Sequence, residues 1–236
     1  LAQRRTALDR TGADVAVTDW QEFTTAPDGS VEPGRIVRPD VEALNKDAEI
    51  ATATSAFWAP PAALLYRASM VKLADGWPEH MRVVEDARFL FEVACKGGRF
   101  EHVAGVGAFY RLSPLGLSRG SRSRFIASCA RNTQEIEANW RARAPLSAAQ
   151  SQALAGMWWH VASAALIEGM EDFDTARRGY NRNAPRRFVT EAGGLLRAVF
   201  GAGFVAAIAS AGLRVKAAAR RVSPLSLARD RAGVRP

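Results

Sequence analysis

The segment that most limits the fold is residues 84–112. Ala87, Leu90, Phe91, Ala94 and Cys95 fall at i, i+3, i+4, i+7 and i+8, which makes one apolar face at helical period. Gly97-Gly98 follows directly, the residue type that ends a helix. Beyond it, residues 99–103 read as a strand and residues 107–112 as a further extended piece. Upstream, residues 14–20 (Asp-Val-Ala-Val-Thr-Asp-Trp) carry the β-branched enrichment of a strand. Residues 62–66 are a short apolar run suited to a buried strand of a parallel or mixed sheet. Strand, helix, strand in this order predicts an α/β layer with a largely parallel sheet.

Turn chemistry divides the rest of this half. Asp28-Gly29 and Pro33-Gly34 are turn signals, so residues 21–38 are expected as a hairpin or loop excursion. Pro39-Asp40 opens a short helical segment to about Ile50, Pro60-Pro61 blocks a helix, and Asp75-Gly76-Trp77-Pro78 is a turn. The chain opens at Leu1 inside an expected helix, with no cap residue before it. It shows none of the parts of a signal peptide, and a piece of a longer protein is the expectation.

The character changes after residue 118. A basic Gly/Ser stretch at 118–124 marks a boundary, and helix follows helix from there. Cys129, Thr133, Ile136 and Trp140 line one face. Ser147 with Gln150 is a capping-box pattern. Leu154, Met157, Trp158, Val161 and Ala165 continue the buried stripe of the helix it starts. A short helix over 174–180 and a last helical run over 195–221 complete the pattern. The expected units are therefore residues 1–118, 119–194 and 195–236.

Composition excludes several classes. Hydrophobic residues make up 48% and charged residues 24%, enough apolar surface for a core and too much for a disordered chain. Cys95 and Cys129 are the only cysteines, which rules out a disulfide framework and a Cys-based zinc site and fits a reduced, cytoplasmic compartment. His80, His102 and His160 show no ligand spacing. The net charge of +8 is uneven: residues 1–120 carry 14 Lys and Arg against 16 Asp and Glu, residues 121–236 carry 18 against 8. Such a basic half suits an anionic partner or a solvated face. No helix-turn-helix, aromatic RNA motif or zinc finger points to nucleic acid. Residues 198–213 hold 16 positions without a charge, short of the roughly 20 that span a bilayer. Arg197 precedes this run, and Arg214, Lys216, Arg220 and Arg221 follow it. It reads either as an interfacial helix drawn to anionic headgroups, a peripheral contact at the inner membrane face, or as a terminal helix docked on the helical half.

Glu85-Asp86 opens the amphipathic helix. Free N–H groups and the helix dipole favour negative charge there, and an aspartate so placed can take a proton from an incoming hydroxyl, as a general base must. The same position also suits a plain N-cap. Tyr110-Arg111 follows a strand and precedes a Ser/Gly/Arg loop, where an arginine can pair bidentately with phosphate. Arg119, Arg122 and Arg124 either add to it or belong to a solvated loop. Trp77, after a glycine, offers a stacking face for a sugar ring or fills part of the core.

Five elements in order resemble the C-terminal half of the catalytic domain of family 2 glycosyltransferases, inverting nucleotide-sugar enzymes of the GT-A fold. They are Ala63-Leu64-Leu65-Tyr66-Arg67, Asp75-Gly76-Trp77, Glu85-Asp86, Gly97-Gly98-Arg99-Phe100 and Tyr110-Arg111. The resemblance covers residues 1–118 and implies a partial GT-A mixed sheet followed by an all-α extension. It implies Asp86 as general base beside Glu85, and Trp77, Tyr110 and Arg111 near the substrates. A nucleotide-sugar donor and a glycan or lipid-linked acceptor are the implied partners. A divalent metal, Mg or Mn, is implied for the full-length enzyme, but its Asp-x-Asp ligand motif is absent here, since Asp14 and Asp19 come too late. Leu112-Ser113-Pro114 stand where many members have a histidine, so that residue's role does not transfer. Without the metal and phosphate clamp, the 236 residues alone are expected to be inactive.

Overall fold

The computed structural model describes residues 1–113, 116 and 120–184. The run at 195–221, with its flanking cations, lies outside the described residues, as do Leu117, Ser118 and Arg119.

Strand β1 (Val15–Thr25) is the centre of a four-stranded mixed sheet. Its first six residues are buried, because the sheet is covered on both faces there. On one side its later half pairs antiparallel with β2 (Val31–Val37), a hairpin closed over Asp28-Gly29. On that side its first residues pair antiparallel with β3 (Leu64–Tyr66). The other side pairs in parallel with β4 (Phe100–Arg111). The sheet is thus mixed, not largely parallel: only the β1–β4 pairing is parallel, because the hairpin and the return through β3 both reverse the chain.

Two further expectations are corrected. The two extended pieces at 99–112 are one strand, continuous through a double irregularity opposite Thr18, Asp19 and Trp20. Gly105 adopts φ +102 there, and a Cβ on Gly107 would meet the Thr18 side chain at 2.5 Å. The buried Asp19 carboxylate accepts the Gly105 N–H (3.2 Å) and pairs with His102 (2.7 Å). Pro60-Pro61 does not exclude helix either: residues Pro61–Ala63 form one 3₁₀ turn, since proline is tolerated where an N–H has no partner to lose.

Helix α1 (Ala2–Thr11) ends at Gly12 and covers one sheet face through Leu8. The other face carries α2 (Val41–Lys46), α3 (Ala48–Ala53), α4 (Ala68–Leu73) and α5 (Glu85–Cys95). Asp40 and Asp47 each cap a short helix with a side-chain hydrogen bond, and so break the expected 39–50 segment in two. The helical half follows: α6 (Arg122–Arg143), α7 (Ala148–Ile167) and α8 (Asp172–Asn183). Both bonds of the Ser147–Gln150 capping box are present. Trp140, Trp158, Ile136 and Leu154 are fully buried in the helical core, together with Ala53 of α3 and Phe91 of α5. No helix among the described residues is long and apolar enough to cross a membrane.

Candidate functional site

The start of α5 decides the site. Val84 precedes the helix with φ +63 and makes no side-chain cap, while its carbonyl accepts the Arg88 N–H at 2.9 Å. A β-branched residue in the left-handed region is an outlier. Glu85 and Asp86 are consequently the first two helical residues, and neither is the N-cap. Asp86 Oδ1 accepts the Ala87 N–H (2.7 Å), and Oδ2 accepts the indole N–H of Trp58 (3.0 Å). Trp58 is itself fixed between aromatic edges, Tyr110 at 5.5 Å and Trp20 at 6.3 Å between ring centroids. Two donors from different elements therefore set the direction of one carboxylate.

That carboxylate lines an open cleft of about 420 Å³. Glu85, Trp58, Tyr110, Arg111 and Phe125 also line it. Tyr110 and Arg111 reach it because β4 runs beside β1, opposite Glu22 and Phe23. The Arg111 guanidinium lies 5.4 Å over the Phe23 ring and has no ion-pair partner among the described residues. Cation and carboxylates thus share one space. Tyr66 stands behind them; burial, and then the charge of Asp86, push its phenol above the ordinary value.

Trp77 is not brought into the cleft. It stacks on Phe89 (3.8 Å, 23°) and meets Tyr66 by an edge, with 40% of its surface exposed. Arg122 pairs with Glu168 at 2.5 Å, and neither it nor Arg124 lines the cleft. Sequence reasoning missed Trp58. Its signal is indirect: an indole N–H near the core needs an acceptor, but nothing local names which.

Among the described residues these carboxylates do not form a metal-ligand set. Both oxygens of Asp86 hold N–H groups, Asp14 accepts the Arg99 N–H, and Asp19 is engaged with His102 and Gly105. Among the described residues no three His, Cys, Asp or Glu side chains group to hold a metal ion. Thiolate chemistry is equally unsuited: burial pushes the thiols of Cys129 up to about 11 and of Cys95 up to about 12, so both stay protonated near neutrality.

The fold and site define a mixed α/β protein with a carboxylate cleft at the start of a helix, walled by a strand end and a helical half. Compared with models of protein families and with curated proteins, the sequence has no match.

Proposed function

We propose that the chain is the acceptor-side part of an inverting, family 2-like glycosyltransferase of GT-A type, with Asp86 as its general base. The observation that carries this reading is the Asp86 carboxylate, aimed by Trp58 and bordering a cleft that also receives Tyr110 and Arg111. A sugar-acceptor hydroxyl entering the cleft gives its proton to Asp86 as its oxygen attacks the anomeric carbon. The new C–O bond forms as the bond to the nucleoside diphosphate breaks, and a single in-line displacement inverts the centre. Arg111 supplies positive charge toward the departing phosphate. The nucleotide and metal clamp belongs, in this reading, outside the 236 residues, and no step here uses it.

Asp86→Asn in the full-length protein tests the base. Asparagine keeps an acceptor for Trp58 but cannot take the proton. With a panel of UDP- and GDP-hexoses and magnesium or manganese, kcat is expected to fall at least about 100-fold while donor KM changes little. Transfer that survives nearly unchanged overturns the assignment.

A further inference from the structure

A second space adjoins the cleft. Between α3, the start of α5, α6 and α7 lies an open cavity of about 730 Å³. Its lining is chiefly apolar, including Ile50, Ala53, Met157 and Val161. Ser55, Val84, Ala87 and Phe125 line both this cavity and the Asp86 cleft, so the two spaces lie side by side with a common border. This volume is that of a small-molecule site. Asn132, Gln152 and His160 add polar side chains to that lining.

We infer that the cavity binds an apolar arm of the acceptor, an alkyl or aryl aglycone, whose sugar hydroxyl lies across the shared border beside Asp86. This rests on the glycosyltransferase reading for the identity of the ligand. The shared lining selects this occupant: a molecule with a polar head and an apolar arm reaches both spaces across Ser55, Val84, Ala87 and Phe125. The acceptor would then be an amphiphilic glycoside and not a free sugar.

The experiment uses matched acceptors, methyl and octyl glycosides of the same hexoses, with the octyl compounds kept below their micelle concentrations. Binding to the full-length protein is measured by titration calorimetry and transfer by steady-state kinetics, with the same donor panel and metal ions. The octyl glycoside is expected to bind, and to lower acceptor KM, at least about tenfold relative to the methyl glycoside, with kcat similar. Met157→Trp fills the cavity and is expected to remove that preference. Gly156→Leu, at a helix position with open space around its Cβ, does the same without crowding the fold. Asp86→Asn is expected to keep the binding preference while losing transfer.

Equal binding of the two glycosides, or a preference untouched by both cavity variants, overturns the inference while the Asp86 test stands apart. Tight octyl binding without transfer to any glycoside overturns the acceptor assignment together with the reading it rests on. Octyl binding that emerges only when residues 195–236 are deleted assigns the cavity to the chain's own apolar run, and also overturns it.

Discussion

Trp58 and Asp86 stand 28 positions apart, and their 3.0 Å hydrogen bond ties the loop before the 3₁₀ turn to the first turn of α5. Trp58→Phe removes the donor and keeps an aromatic ring against Tyr110. The expected result is a fall in kcat of roughly tenfold with acceptor KM little changed, because aim and not binding is lost. A variant with wild-type kcat shows that Trp58 only packs. The place of Asp86 in the first turn of α5 was legible in the sequence because helix, acidic pair and terminal glycines lie within a few residues of each other. Trp58 was not, since its partner is chosen by tertiary folding. Nor was Val84: no rule of propensity places a valine in the left-handed region, and only the packing around it does.

At the scale of elements, Glu137 organises the helical half. It is buried on α6 and accepts the indole N–H of Trp158 on α7 (2.7 Å) and the amide of Asn183 on α8 (3.2 Å). Arg182 and Arg141 pair with it from the rim. Burial works to raise its pKa, but hydrogen bonds from Arg182, Trp158 and Asn183 outweigh this and hold it below the ordinary 4.5. A carboxyl lowered on folding stabilises the native state above its unfolded value, and that stability drains away as pH falls through the folded value. Tm is therefore expected to drop as the protein is acidified below about pH 4.5. Glu137→Gln is expected to lower Tm at pH 7, by an equivalent of about 1–3 kcal/mol, and to flatten the acid slope; Glu49, held low in the same way by Arg143 and Trp140 after burial is overcome, leaves a residual slope. An unchanged slope in thermal melts from pH 7 to 3 contradicts the role. The helices themselves were readable from their stripes and the capping box, whereas this network was not, because it joins residues up to 46 positions apart. The single β4 strand escaped for a related reason: its glycines looked like interruptions, and they are the bulge that lets it follow β1.

For the whole molecule, α5 is the common part. Phe89, Leu90 and Val93 belong to the core under the sheet, and Phe91 to the helical core, where it meets Trp140 edge-on at 5.7 Å. The sequence showed one stripe on this helix, since the window sees apolar spacing and not two different neighbours. The composition change near residue 118 was real, but the second core reaches back across it to Ala53 and Phe91. Unfolding is accordingly expected to be one cooperative transition, with far-UV circular dichroism and tryptophan fluorescence coinciding. Phe91→Ala is expected to cost about 3–5 kcal/mol and to separate the two probes. Two transitions in the unaltered chain contradict a shared helix.

The backbone at Val84 has a consequence for how long such an arrangement lasts. Holding a branched side chain in that torsional well costs about 1–3 kcal/mol, so the segment sits like a wound spring against the helix it introduces. Release toward an extended conformation swings the first turn and carries the carboxylate away from its indole. The carboxylate keeps its address only while the surrounding walls keep that spring compressed.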